Sequence, residues 1–272
     1  MKYEPIKHSI DKFISKNIFL KKTFFILLDL YLLRTWHVHK ELKKLRASFK
    51  DGIKVLDAGA GFGQYSYFIL RKFKNAIVKG IDISQSHVEK ANNFVKECDY
   101  KNAEFTQGDL TKFDSDKDFD LIISVDVMEH IEDDRKVFSN FYSALKKGGM
   151  LLVSTPSDKG GSDVHDHDHE EGEGSFIDEH VRDGYSFEDI EEKLSSAGFS
   201  NIEMKYTYGK PGQISWKLLM KYPITMLNKS KLLAVVLPFY LIIVYPFCLI
   251  LNYLDTIIVH KTGTGLTVTA WK

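Results

Sequence analysis

The sequence predicts a doubly wound α/β sheet of mainly parallel strands, and three observations carry that prediction. From residue 53 onward, short apolar runs alternate with segments of helical period. Runs such as Leu121-Ile122-Ile123-Ser124-Val125 are nearly continuous in apolar residues, as strands covered on both faces are. Glycines or acidic residues follow the runs directly, at Asp57-Ala58-Gly59-Ala60-Gly61-Phe62-Gly63, at Asp82 and at Gly108-Asp109. In an open parallel sheet, ligands bind beyond the carboxyl ends of the strands, so these residues are the first candidates for a site.

Taken in order, residues 11–46 read as one or two helices with basic residues among apolar ones. Phe13, Ile14, Phe19, Phe24 and Leu28 alternate there with Lys12, Lys16, Lys21, Lys22 and Arg34. Such a helix either lies on an anionic membrane or covers the sheet and the mouth of the site. Trp36 and His37, at the end of the run, are candidates to reach the substrate; helix packing is the alternative. Strands are expected at 53–57, 77–82, 103–107, 119–125, 150–154 and 200–208. Helices are expected at 64–73, 84–98, 134–145 and from Ser186 to Gly198. Ser84 is a candidate N-cap, Ser186-Phe187-Glu188-Asp189 resembles a capping box, and Lys146-Lys147-Gly148-Gly149 reads as a helix stop. Residues 156–185, with His165-Asp166-His167-Asp168-His169, read as a long loop of the kind that forms lids.

Residues 213–259 break the composition. Positions 232–254 carry no charged side chain but include Pro238 and Pro246. Length alone permits a membrane span. Yet Gly265-Leu266-Thr267-Val268-Thr269-Ala270-Trp271 alternates like a strand, and pairing it beside the strand at 200–208 returns the chain to the sheet. A single crossing is then excluded, and a broken, re-entrant or surface-lying hairpin is expected. A cap on the protein itself or a homodimer interface is the alternative. The organisation read from the chain is therefore N-terminal helices over 1–48, a core over 49–212 and 260–272, and an apolar helical insert over 213–259.

The 272 residues balance 37 basic against 37 acidic side chains, so no global field draws the chain to nucleic acid. Cys98 and Cys248 stand in unrelated contexts, and the N-terminus lacks a secretory pattern. Both lead to the expectation of a cytoplasmic protein, peripheral on the inner face of the membrane if the apolar segments touch it.

The glycine turn admits any nucleotide until the carboxylates are considered. Asp57 would repel a pyrophosphate but welcome a cationic amino-acid end. Asp82 can accept both hydroxyls of a ribose, and Asp109 can accept from an adenine amino group. Together they favour S-adenosylmethionine, which has an ammonium, a sulfonium, a ribose and an adenine but no phosphate.

On these residues the sequence resembles the class I S-adenosylmethionine-dependent methyltransferases. Residues 55–63 are similar to the family's first motif, Gly80-Ile81-Asp82-Ile83-Ser84 to the second and Gln107-Gly108-Asp109-Leu110 to the third. Residues 119–124 through Glu129-His130, then Leu145-Lys146-Lys147-Gly148-Gly149, are similar to the fourth and fifth. The match covers about residues 50–200, with Ala60 where cysteine is frequent. The resemblance implies a Rossmann-like sheet of seven strands whose last, at 264–271, runs antiparallel. It also implies a cofactor set: Asp57, Gly59, Ala60, Gly61, Gly63 and Gln64 at the methionine part, and Asp82 with Ile83 at the ribose. Gly108, Asp109 and Leu110 would meet the adenine, and Ser124, Val125 and Asp126 the sulfonium.

Methyl transfer needs positioning and, for oxygen or carbon acceptors, removal of a proton. His130, His180 and Glu179 are the candidates for that role, and Arg182 and Tyr185 are candidates to hold the acceptor. Backbone hydrogen bonds and structural salt bridges are the bland alternatives. No metal is expected; the competing reading places a divalent ion on Asp126, Glu129 and His130 with a histidine from 165–169. The acceptor is expected to be small and hydrophobic or lipid-like, of quinone, polyprenyl or phospholipid type. A soluble small molecule is the second reading, and a non-catalytic cofactor-binding scaffold the third.

Overall fold

The computed structural model describes residues 17–115, 118–160 and 181–272. Seven strands form one sheet: β1 (Lys54–Ala58), β2 (Ile77–Asp82), β3 (Ala103–Gln107), β4 (Phe119–Val125), β5 (Leu145–Pro156), β6 (Ser200–Thr207) and β7 (Gly265–Trp271). Their order is β3-β2-β1-β4-β5-β7-β6. Strands β1 to β5 pair in parallel, while β7 runs antiparallel between β5 and β6. The expected antiparallel last strand is therefore present. The order reverses between β1 and β4, and the crevice beyond their carboxyl ends is where such sheets bind ligands.

Alternation along the strands divides the core into two layers. Leu56, Ile122, Leu151 and Val268 face α5 (Asp134–Ala144) and α6 (Phe187–Ala197), meeting Phe138, Phe141, Ile190 and Leu194. Val55, Leu121, Ile123 and Leu152 face the opposite way, onto α2 (Leu33–Arg46) and α3 (Gln64–Lys72), through Val38, Leu42, Phe68 and Ile69. A further helix, α4 (Gln85–Glu97), begins at Ser84, whose hydroxyl accepts from the His87 amide. Ser186 caps α6 by accepting from the Asp189 amide at 3.0 Å, and Gly198, at φ +107°, ends it. One boundary differs from expectation. The segment 146–149 does not precede β5 but bulges from it, because Phe119 pairs with Leu145 while Leu121 pairs with Met150. Gly148, at φ +77°, takes the left-handed conformation that the bulge requires.

The two apolar additions flank the sheet's carboxyl end. α1 (Ile18–Tyr31) buries Phe25, which packs edge-on against Phe94 at 4.7 Å and stacks on Phe62 at 5.8 Å. Its other face leaves Phe19, Ile26, Leu27 and Leu30 exposed. The insert is a helical hairpin. Thr207 of β6 pairs with Gly265 of β7, so the chain leaves and re-enters the sheet at one place. The outgoing leg runs through α7 (Lys210–Trp216), a widened π turn over 217–221 and α8 (Tyr222–Lys229); α9 (Leu237–Ile257) returns. Pro223 has no N–H, which deprives the Leu219 carbonyl of its usual partner four residues on. The Tyr31 hydroxyl donates to that carbonyl, and Tyr240 donates to the neighbouring Leu218 carbonyl at 2.8 Å. A sequence-imposed gap in the hairpin thus ties it to α1.

Candidate active site

The glycine turn is shaped by contacts that forbid side chains. Gly59 stands at φ +77°, and a Cβ there would lie 2.2 Å from Val127 Cγ2. Gly61, at φ +54°, opens onto free space instead, with nothing within 4 Å of a built Cβ. The amides of Gly59 and Ala60 donate to the Ile81 carbonyl at 2.8 and 2.9 Å, which clamps the turn to the end of β2. Gly61 donates its amide to Asp82 Oδ2 at 2.8 Å, and Ser84 donates to Asp82 Oδ1 at 2.8 Å. Burial works to raise the Asp82 pKa, but His87 and these amides hold it below the ordinary carboxylate value. It stays ionised with lone pairs to spare for hydroxyl donors. Asp57 is the opposite case. It is 2% exposed and accepts from the amide and hydroxyl of Ser66 at 3.1 and 2.6 Å. Burial, despite Ser66, pushes its pKa to about 6. Asp109 is kept below the ordinary value by the Thr111 hydroxyl and amide, at 2.7 and 2.9 Å.

These groups fit S-adenosylmethionine. The absence of a side chain at Gly61 leaves a cradle, Asp82 is a charged acceptor beside it, and Gly108 and Asp109 follow at the end of β3. Gln64, on the first turn of α3, faces the N-terminal helices: its amide donates to Asp29 Oδ1 at 2.8 Å and to Thr35 Oγ1 at 3.3 Å. Ile83 is exposed, Leu110 is buried, and Val125 is half-buried at the end of β4. The Ser124 hydroxyl is wholly buried with no hydrogen-bond partner.

Beyond β4 a second cluster assembles from remote parts of the chain. Asp126 sits at φ +52°, its amide donating to the Ser154 carbonyl at 2.8 Å. Arg34, on the first turn of α2, forms an ion pair with Asp126. Tyr65 bonds to Thr35, and the Arg34 amide donates to the Tyr208 hydroxyl at 3.0 Å. Glu129 is 1% exposed, and Thr155 donates to its Oε2 at 3.1 Å. Burial, then the neighbouring Asp126 carboxylate, raises Glu129 well above the carboxylate range. One cation, two carboxyls and two phenols therefore meet where β4 points.

The other sequence-derived candidates are distributed more widely. His130 is exposed on the 3₁₀ turn after β4. Glu179 and His180 lie outside the described residues, as do His165, His167 and His169. Arg182 donates to Tyr185 Oη at 2.8 Å and to the carbonyls of Ile131 and Glu132 at 2.7 and 3.1 Å, and it pairs with Asp134. Tyr185 is fully buried and donates to Asp134 Oδ2 at 2.7 Å. Both thus tie α5 to the segment preceding α6. Trp36 is half-buried, donating to the Leu30 carbonyl at 3.0 Å, and His37 bonds Asp255 of α9 at 2.8 Å. Among the described residues no three His, Cys, Asp or Glu side chains converge as a metal site. Arg34, Tyr65 and Tyr208 were not singled out in sequence as site residues. Only the pairing of polar Arg34 and Thr35 with His37, one turn later, hinted at an inward-facing polar stripe.

Comparison with known proteins agrees with this geometry. A family model described as a methyltransferase domain matches residues 49–205. The chain is 32% identical over 123 residues to malonyl-[acyl-carrier protein] O-methyltransferase 1 of Ilyobacter polytropus, covering 45% of each chain. It is 31% identical over 119 residues to (S)-tetrahydroprotoberberine N-methyltransferase of Eschscholzia californica, covering 44% of this chain and 34% of that one. These matches span less than half the length of the curated relatives. Among solved structures, phosphoethanolamine N-methyltransferase 2 of Haemonchus contortus, in complex with S-adenosyl-L-methionine, superposes with a TM-score of 0.59 at 22% identity. That superposition covers 87% of this chain and 52% of the other.

Proposed function

We propose that this chain, which belongs to the S-adenosylmethionine-dependent methyltransferases, acts on a small hydrophobic or lipid-like acceptor at a membrane surface. Its cofactor is S-adenosylmethionine. When bound, that cofactor supplies a methyl carbon already activated by a cationic sulfur. The residues around it position the acceptor. Asp82 and Asp109 hold the nucleoside, and the turn at Gly59–Gly63 leaves room for the methionine part. Asp126 and Glu129, with Arg34 and the phenols of Tyr65 and Tyr208, form the acceptor chamber. A proton released by an oxygen or carbon acceptor passes to that carboxyl pair.

The observation that carries the membrane reading is the outer face of the hairpin. Phe239, Ile242 and Ile243 are 65%, 71% and 77% exposed on α9, a helix long and apolar enough to span a bilayer, and Leu232, in the turn before it, is 82% exposed. Isolated exposed apolar residues are ordinary, but a run of this length marks an interaction surface. Because both ends of the hairpin join one sheet edge, α9 cannot cross alone. The outgoing leg carries Lys210, Lys217, Lys221 and Lys229, which do not suit a hydrocarbon core. The hairpin therefore lies in the interface, apolar face down, beside the exposed face of α1, and the enzyme works from the cytoplasmic side.

Flotation with vesicles of phosphatidylcholine and phosphatidylglycerol tests this reading. The full chain should rise with the vesicles, and a variant carrying Phe239→Ser, Ile242→Ser and Ile243→Ser should stay behind. If the full chain stays in the soluble fraction as a detergent-independent dimer, the apolar face is a subunit interface and the membrane reading fails.

A further inference from the structure

The base of the hairpin carries a buried carboxylate with more partners than a helix terminus needs. Asp255, near the end of α9, has no exposed surface. Its Oδ2 accepts from His37 Nε2 at 2.8 Å and from the Tyr208 amide at 3.1 Å. Its Oδ1 accepts from the Gly212 amide at 2.9 Å and lies 3.1 Å from His260 Nε2. Three segments distant in sequence converge here: α2, the turn between β6 and α7, and the link from α9 to β7. The backbone is fitted to the cluster. A Cβ at Gly212 would lie 2.8 Å from Asp255 Oδ1, and one at Gly209 would lie 2.1 Å from His260 Nδ1.

Two of these bonds lead to the methyl-transfer site. Tyr208 stands at φ +54°, a conformation that a bulky residue keeps only when its surroundings impose it. The Asp255 carboxylate imposes it by receiving the Tyr208 amide. The Tyr208 hydroxyl in turn receives the Arg34 amide, and the Arg34 guanidinium pairs with Asp126. Through His37, Asp255 also grips the same helix one turn after Arg34. The first turn of α2 is thus held at two points by one carboxylate that belongs to the hairpin.

We infer that Asp255 is a positioning residue: through it the base of the apolar hairpin fixes Tyr208 and α2, and so sets Arg34 over Asp126 in the acceptor chamber. Asp255 does not touch the reacting atoms. The inference rests on the acceptor chamber assigned above but not on the membrane reading, so a failed flotation assay leaves it standing.

Phenylglyoxal labelling of the full-length protein, read by peptide mass spectrometry, reports how tightly Arg34 is held, with Arg71 as an internal control. Isothermal titration with S-adenosylmethionine reports the cofactor half. In Asp255→Ala, Arg34 should label about tenfold faster, on the order expected for loss of a hydrogen bond to a charged group. Arg71 labelling should stay unchanged, and cofactor affinity should hold within about twofold, since the Asp82 contacts are untouched. Should that variant not fold, Asp255→Asn carries the test, because it keeps the side chain's volume but removes the charge and one of the oxygens that accept from His37, Tyr208 and Gly212. A purely structural Asp255 would speed labelling at Arg34 and Arg71 alike and weaken the cofactor in step. That result, or unchanged Arg34 labelling in the folded variant, overturns the inference.

Discussion

The cofactor half of the site and its acceptor half differ in how far along the chain their parts are drawn. The first uses β1, the turn after it, and the ends of β2 and β3, so its residues lie between Asp57 and Asp109. The second gathers Arg34, Tyr65, Asp126, Glu129 and Tyr208, and it is anchored by Asp255 near the opposite end of the chain. Local construction suits a ligand that does not change: the proposed cofactor seat, a glycine turn with Asp82 and Asp109, needs no part of the chain that would vary with the acceptor. Remote construction lets the acceptor half be altered by changing appended helices without disturbing the sheet. That separation is a property to be tested by perturbing each half and observing whether the other responds.

The largest effect is expected at Asp82. Its carboxylate is ionised, accepts from Gly61 and Ser84, and stands where a ribose would be held. Asp82→Ala removes the acceptor for the hydroxyls and also loosens the turn at Gly61. Charge-assisted bonds are worth roughly 1.5–3 kcal/mol each, so losing several should leave no measurable S-adenosylmethionine binding by calorimetry. Arg34 labelling in the same variant should stay at the wild-type rate. Retained cofactor affinity would contradict the assignment of Asp82, and altered labelling would contradict the separation of the halves.

The same contrast explains how much was legible in the sequence. The sheet could be read because its signals are local: β-branched runs, glycines after β1, Ser84 and Ser186 as caps. Asp57, Asp82 and Asp109 could be singled out because each stands at or just beyond the carboxyl end of a strand. The bulge at 146–149 was missed because a basic, glycine-ended segment looks the same whether it closes a helix or kinks a strand. Only pairing with Phe119 and Leu121 decides. Arg34 and Tyr208 were missed for a stronger reason. Nothing near Tyr208 in sequence requires its left-handed backbone; the requirement comes from Asp255, far along the chain. Arg182 and Tyr185 looked like acceptor ligands because they are charged and aromatic in a loop, yet their bonds go to Asp134 and the turn after β4. Glu129 entered the sequence argument as the end of the fourth motif and as an alternative metal ligand, since burial cannot be read from a Glu-His pair.

Each half also has its own response to pH, and the two have opposite signs. In the cofactor half, burial holds Asp57 at about 6, above its ordinary 3.8. The folded state therefore binds this proton more tightly than the unfolded state does. The stabilisation is complete below pH 4 and is lost as pH rises through 6. At 1.36 kcal/mol per pH unit, the apoprotein should lose roughly 3 kcal/mol from this group between pH 4 and pH 7. Denaturant melts of wild type and Asp57→Asn should diverge across that window, the variant lacking the loss. Added S-adenosylmethionine should shrink the divergence, because a nearby ammonium favours the ionised carboxylate. Parallel stability profiles for the two proteins would show that Asp57 does not titrate there.

His39 gives the smallest expected effect and belongs to the other half. It lies on α2, 9% exposed, with its ring stacked on Phe68 at 3.5 Å between centroids. Its Nε2 has no hydrogen-bond partner. Burial, then the nearby Lys43, Lys72 and Arg71, lowers its pKa to about 3. Here the unfolded chain takes the proton more readily, so the stability contributed by neutral His39 is complete above pH 6.5 and is lost as pH falls. From pH 7 to pH 5 this amounts to about 2 kcal/mol, concentrated on the seat of α2 against α3. His39→Phe should keep the stack and remove that loss. Hydrogen exchange at pH 5 should then be slower over residues 33–46 in the variant than in wild type, with residues 54–82 exchanging alike in both. If residues 54–82 change equally, α2 and the cofactor half unfold as one unit, and the acceptor half is not separable from the cofactor half at equilibrium.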